Sequence, residues 1–322
     1  MKKRPSVSCP ISALGNALRQ EGRFLGQVLG DPLLLLLLLG TFLLSFLAGQ
    51  FFPPLALDIG EPPDAMYLSG FHEPEKRAGP SFRWSTGEGR VDVPALGRAS
   101  WRLNLHLSAP RPAGWPSPRL RLTQGDILLL ETTVGPTPQV YSLLLPEEAL
   151  SSGDLALEWH SETFSPGESD PRILGVALDR LEVWEVGRGT VLLSLEAYLW
   201  PLLTVLLAVL LARRLGWPRR TALGVGAACA LMLAAMLAGV RPFLAPGLAF
   251  FPLGLACSFL FHALFRRPLD RLFASLGSQL DSPTARALWS VVLFFLAVRL
   301  AGSLHPAMET WDLCFHFHRL QD

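Results

Sequence analysis

The sequence predicts a membrane α-helical protein of about five spans that carries one all-β extracytoplasmic domain, a sandwich or jelly roll. Three observations predict it. Apolar residues, half of the 322, are gathered in runs of about the 20 needed to cross a bilayer. Between Pro53 and Arg188 the hydrophobic period drops to two, the signature of half-buried strands. Charge is also partitioned. Lys and Arg number 12 against 19 acids in Pro53–Arg188, but 5 against 2 in Met1–Asp31, and Arg213–Arg220 has four Arg and no acid. The net charge of +1 hides this asymmetry, which is a membrane pattern and gives no support for nucleic-acid binding.

In chain order, residues 1–31 form a cytoplasmic amphipathic foot. Ile11, Leu14, Leu18, Leu25 and Val28 or Leu29 recur at roughly helical spacing with Arg19 and Arg23 off that face, which suits a helix on the membrane surface. A frayed basic tail is the alternative. Residues 32–52 form the transmembrane anchor, with Pro32 at its first position and seven consecutive leucines. The run is too long for a cleaved signal peptide and no small-x-small site precedes Pro53. By the positive-inside rule the N-terminus is cytoplasmic and the domain 53–188 is exported.

Within that domain Arg90–Val93, Trp101–Leu107, Arg119–Leu122, Val140–Leu145, Asp154–Trp159 and Leu174–Val183 alternate, and Pro, Gly and Ser fill the gaps. Eight or nine short strands are expected. Three transmembrane helices follow in 190–265. The first has Tyr198 and Trp200 at the outer interface, with Glu196 near the headgroups. The second is rich in Gly and Ala, suited to close helix packing. Arg241–Pro246 reads as a tight external turn. Residues 266–286 read as a cytoplasmic amphipathic helix, 287–304 as a fifth transmembrane helix, and 305–322 as an extracytoplasmic tail.

Function classes narrow by elimination. None of the four cysteines falls in the β-domain, so its core must hold without disulfides. No Cys-x-x-Cys, His-Glu-x-x-His, P-loop, Gly-x-Gly-x-x-Gly or Gly-x-Ser-x-Gly occurs. In the tail, His305, Glu309, Asp312, His316 and His318 cluster just outside the last span. On a helix Asp312 and His316 share a face, which suits a carboxylate–imidazole pair or a divalent metal. The spacing equally suits an interfacial helix whose polar groups are solvated.

A span ending in Arg299, followed by a Pro, an external Asp and a nearby Phe-His, resembles the start of the catalytic unit of GT-C-type membrane glycosyltransferases. The resemblance implies a polyprenyl-phosphate sugar donor, Asp312, with Glu309 in reserve, as the external carboxylate that acts as general base or helps hold a metal, and Arg299 and His316 toward substrate. It also implies further spans, supplied by a membrane partner or by a longer chain, so catalysis by this chain alone is not expected. Leu68–Glu75, Phe82–Gly87 and Asp170–Arg180 are similar to segments of jelly-roll modules in such bacterial proteins.

A second expectation, from a different class, is a non-enzymatic, membrane-anchored carbohydrate-binding or scaffold protein. Phe71, His72, Trp84, Trp101, Trp115 and Trp159, with Arg83, Glu73 and Asp170, offer ring faces and charges to a glycan. Trp101 and Trp159 alternate as core residues, whereas His72 and Trp84 lie beside turns and are the expected surface pair. His106 and His160 read as ordinary strand residues.

Overall fold

A computed structural model describes residues 10–61, 64–76, 80–167, 170–187, 189–275 and 282–303. Ten strands occupy the middle of the chain. They are β1 (Leu55–Asp58), β2 (Leu68–Phe71), β3 (Glu75–Lys76), β4 (Ser81–Val93), β5 (Trp101–Ser108), β6 (Arg119–Gln124), β7 (Ile127–Thr133), β8 (Gln139–Leu145), β9 (Leu155–Ser161) and β10 (Ala177–Glu185). Two helices precede them, α1 (Pro10–Leu29) and α2 (Pro32–Gly49). Four follow: α3 (Leu195–Arg214), α4 (Arg219–Leu244), α5 (Phe250–Ser275) and α6 (Ser282–Ser303).

The strands run in the order β7-β6-β9-β4-β10-β5-β8, with β1 on β10 and both β2 and β3 on β4. The 13-residue β4 joins the two flanks. Its Arg83 and Trp84 pair with β10, while Glu88–Val93 pair with β9. Inward positions of both flanks, among them Leu103 and Leu105 on one and Leu120, Leu157 and Trp159 on the other, share a single buried cluster. Two antiparallel faces closing on one core make a sandwich. Trp101 and Trp159 are fully buried, as their alternation requires.

All six predicted strand stretches lie in or overlap strands, and the structure adds β1, β2, β3, β7 and the first half of β4. Ile127–Thr133 escaped the period-two pattern because Ile127 and the next three residues are all apolar, and that strand is a sheet edge with Ile127 and Leu128 exposed.

Among the described residues three helices are long and apolar enough to cross a membrane: Pro32–Gly49, Leu195–Arg214 and Arg219–Gly247. Phe250–Phe265 is apolar but shorter. The expected fifth span, 287–304, falls in α6 as far as Ser303, and its last residue lies outside the described residues. Instead of breaking at Arg266 and Arg267, α5 continues through them to Ser275. The expected external turn at Arg241 is also different. The helix kinks at Val240 (φ −136°, ψ 28°), just before the Arg241-Pro242 step, and runs on to Leu244 with Arg241 fully buried. A residue near a proline is pushed out of helical geometry, which bends the helix without ending it.

Side-chain chemistry sets the helix starts and approaches. Asp31 caps α2 by accepting from the Leu33 N–H at 2.9 Å, with Pro32 in the first turn. The same carboxylate accepts from Arg219 at the start of α4, whose guanidinium holds the acid down at about 2. Gly226 lets α4 meet α2 and α3: a Cβ there would meet Val209 and Leu37 methyl groups at 2.6 and 2.8 Å. This is the close packing that the small residues of this helix predict.

The chain leaves and re-enters the helical part at one place. The Gln50 amide donates to the Val191 carbonyl at 3.0 Å and accepts from the Val191 N–H at 3.1 Å. Beside it, Arg241 donates to the Gly49 and Leu96 carbonyls at 2.8 and 3.2 Å and lies 4.7 Å above the Phe52 ring. One arginine thus joins α4, the end of α2 and the β-domain.

Candidate functional site

Strand register builds a polar floor on the outer face of the β7-β6-β9-β4 flank. Glu88 stands opposite His160, His160 opposite Arg121, and Arg121 opposite Glu131. All four are exposed, because each occupies the alternate of a core position. Together they form a row of acceptor, imidazole, guanidinium and acceptor across four strands. His160 Nδ1 lies 3.6 Å from Glu88 Oε1, an ion-pair distance rather than a hydrogen bond. Thr86, Arg119, Glu162 and Ile173 raise the sides of a shallow, open cleft with a volume of about 540 Å³.

An aromatic series begins at Phe164, the residue after the wall residue Thr163, outside the lining of the cleft. Trp84 meets Phe164 edge-on at 6.0 Å, and Phe164 meets Trp115 at 6.2 Å. Trp84 is buried at 2% exposure with Leu174 and Ala177 around it, so it is not the expected surface platform. The reason is pairing: Trp84 is opposite Ala177 of β10, at the seam between the flanks. Trp115, at 51% exposure, offers the open ring instead. Its loop is pinned by Arg111, which donates to the Pro116 and Glu162 carbonyls at 3.2 and 2.6 Å and stacks 5.1 Å from the Phe164 ring. Burial there lowers the guanidinium pKa.

His72 is half-buried and also turned to structural use. Its Nε2 lies 2.8 Å from the Ile173 carbonyl, tying the turn after β2 to the cleft wall. Arg83 pairs with the buried Asp64, Phe71 packs edge-on against Trp159 at 5.5 Å, and Glu73 is exposed. Asp170 binds Arg172, which also reaches Glu75 at 2.7 Å. The Arg172 hydrogen bonds hold the Asp170 carboxyl down at about 2. A depressed carboxylate contributes stability above its unfolded value and loses it as pH falls through the folded one. The Asp170–Arg172 pairing is therefore expected to persist at pH 4 and to loosen only toward pH 2. A carbon-detected NMR titration of Asp170 should give that midpoint, and Arg172→Met should return it to the ordinary carboxylate range.

Of the other residues singled out in the sequence, Arg299 is exposed on α6. Glu309, Asp312 and His316 lie outside the described residues, as do His305 and His318. Among the described residues no group of three or more His, Cys, Asp or Glu is placed to hold a metal. The residues that sequence reasoning passes over are Arg111, Arg119, Arg121, Glu131 and Glu162, and it reads His160 only as an ordinary strand residue. Only Trp115 gave a usable signal, since a tryptophan between Pro112 and Pro116 has no strand face on which to be buried.

Two of the cleft's hydroxyls, those of Thr86 and Ser161, are engaged in structure. Thr86 Oγ1 donates to the Gly70 and Glu88 carbonyls, and Ser161 Oγ meets Ser85 Oγ at 3.2 Å. The arrangement offers hydrogen-bond donors and acceptors across the floor of the cleft.

The class defined so far is an antiparallel β-sandwich inserted between apolar helices. No protein-family model matches the chain, and no curated protein matches it. Solved structures do. The C-terminal CBM6 module of a marine laminarinase from Zobellia galactanivorans is 10% identical, with a TM-score of 0.27, covering 41% of this chain and 100% of that one. A family 35 carbohydrate binding module from Clostridium thermocellum is 14% identical at a TM-score of 0.27, covering 42% and 100%. The ANX1 ectodomain from Arabidopsis thaliana is 13% identical at 0.30, covering 42% of each chain. Likenesses of this degree assign no ligand to this chain.

Proposed function

We propose that this chain is a membrane-anchored carbohydrate-binding protein whose β-domain stands outside the membrane. The observation that supports this reading is the 540 Å³ cleft, floored by the Glu88–His160–Arg121–Glu131 row, with the exposed Trp115 ring 6.2 Å from Phe164, the residue after the wall residue Thr163. Sugar C–H faces stack on an open aromatic face while their hydroxyls exchange hydrogen bonds with paired acids and guanidinium groups. A cleft of this size is within the range of about 300–1,000 Å³ typical of small-ligand sites. The resemblance to lipid-linked-sugar glycosyltransferases finds no support in any family match and is not carried further.

The test is a glycan array probed with the full chain in detergent, with Trp115→Ala beside it. Loss of an aromatic anchor costs about 2 kcal/mol, so affinity for any glycan bound should fall about thirtyfold. An array on which wild type and variant bind identically would sink the reading.

In this reading the N-terminus is cytoplasmic, and up to five segments cross the bilayer. Supporting it are the three apolar helices and the arginines at the Arg213–Arg220 turn. In a cysteine-free background, an impermeant maleimide is expected to label Thr137→Cys in intact cells and Arg220→Cys only after permeabilisation. The reverse pattern would invert the topology.

A further inference from the structure

A second cavity lies where three helices begin or end, away from the β-domain. It is a groove of about 320 Å³ between α1, α2, α3 and α4, and its polar end is lined by Gln27, Asp31, Arg213 and Arg219. The last three share one level of the fold. Asp31 immediately precedes the apolar helix Pro32–Gly49, Arg213 stands one residue before the end of Leu195–Arg214, and Arg219 opens Arg219–Gly247. About one turn further into these helices the lining changes to Leu34, Val209 and Leu223, which are buried or half-buried.

The charges at the polar end do not cancel. Arg219 is paired: its Nε and Nη2 donate to the two Asp31 oxygens at 2.6 and 2.5 Å. Asp31 also accepts from the Leu33 N–H, so its oxygens are committed. Arg213 is half-buried, donates to the Trp217 carbonyl at 2.9 Å, and makes no ion pair among the described residues. The other acid of α1, Glu21, is held by the neighbouring Arg214 at 2.7 Å. Two guanidinium groups against one carboxylate therefore leave the groove with a charge of +1. A guanidinium partly withdrawn from water gains from a counter-ion, and its planar donors fit the oxygens of a phosphate. A cationic mouth above an apolar floor, at the level where apolar helices start, matches the join between the phosphate and the acyl chains of a phospholipid.

We propose that this groove binds the headgroup phosphate of an anionic phospholipid through Arg213, with the glycerol end of the acyl chains against Leu34, Val209 and Leu223. An anionic headgroup is favoured because a phosphodiester that carries no ammonium of its own supplies the single negative charge the groove lacks. The proposal rests on the membrane insertion of α2, α3 and α4 and is independent of the sugar-binding reading. A lipid held there ties α1 to the ends of the three helices it lies across.

The experiment uses the full chain reconstituted in vesicles of equal parts phosphatidylglycerol and phosphatidylcholine and recovered by flotation. The floated chain is dissolved in detergent, and the lipid retained on it is read by native mass spectrometry. Wild type is expected to retain phosphatidylglycerol over phosphatidylcholine about fivefold, the factor contributed by one basic side chain at a membrane surface. Arg213→Gln should abolish that preference. Gln27→Glu, at an exposed position on the groove where folding is not at stake, should abolish it too by cancelling the excess charge. Arg220→Gln removes an equal charge beside Arg219 but off the groove, and should leave the preference intact. A preference that survives Gln27→Glu, or that falls as far in Arg220→Gln as in Arg213→Gln, would mean attraction to the surface charge as a whole and would overturn the site. Displacement of the lipid by added inorganic phosphate would assign the groove to free phosphate and overturn the lipid. A chain that fails to float would overturn the membrane reading and the site with it, whereas a chain that floats without preference overturns the site alone.

Discussion

Replacing Arg241 with methionine is expected to loosen the attachment of the β-domain to the helices by about 3 kcal/mol, the largest effect of any single change at the junction. Hydrogen bonds from a charged donor contribute about 1.5–3 kcal/mol each, and Arg241 makes two, to Gly49 and Leu96. Methionine keeps the apolar stem but leaves both carbonyls without that donor in a site where the arginine is only 1% exposed. It also removes the cation over the Phe52 ring, and Phe52 itself packs edge-on against the core residue Trp101 at 4.9 Å. The loss should therefore be felt on both sides of the joint. Limited proteolysis reads it directly: cleavage at 51–54 should accelerate in Arg241→Met. Arg220→Met, at the exposed start of the same helix, should change the rate by less than about 0.5 kcal/mol equivalent. Equal cleavage rates for Arg241→Met and wild type would mean that Gln50 and the apolar contacts hold the joint without it.

Arg241 also shows where sequence reasoning stops. An arginine beside a proline at the end of an apolar run reads as an external turn, because the sequence does not reveal that a β-domain 145 positions earlier in the chain offers it a carbonyl. The strands were legible wherever one face is buried and the other wet, as in Trp101–Leu107, since alternation is a local pattern. The cleft was not legible, because its floor is a product of register. Glu88 and Glu131 are distant in sequence and meet only through His160 and Arg121 on the intervening strands. The same limit explains the tryptophans. Trp84 and Trp115 both sit near turn residues, and what separates them is that β10 pairs over Trp84 while Trp115 stays on a loop.

The second large effect is expected at Asp64, where the paired charges are both inside the β-domain. Asp64 Oδ2 accepts from Arg83 Nε and from the Gly60 N–H, each at 2.6 Å, and Oδ1 accepts from Arg83 Nη2 at 3.1 Å. Its side chain is 3% exposed and that of Arg83 13%. Asp64→Ala strands a guanidinium that has little access to water, which typically costs about 3–5 kcal/mol. Arg83 would keep only its bond to the His72 carbonyl, at 3.1 Å. Because β4 carries Arg83, then Trp84, and then Thr86 and Glu88 of the cleft, the damage should spread to the cleft as well as lower the unfolding temperature. Adding Arg83→Met removes the stranded charge, so the double variant is expected to be more stable than Asp64→Ala alone. Thermal unfolding of the four proteins in detergent, followed by the fluorescence of buried Trp84, Trp101 and Trp159, completes the cycle. A double variant no more stable than Asp64→Ala would shift the cost to the lost Gly60 contact and the backbone turn it holds.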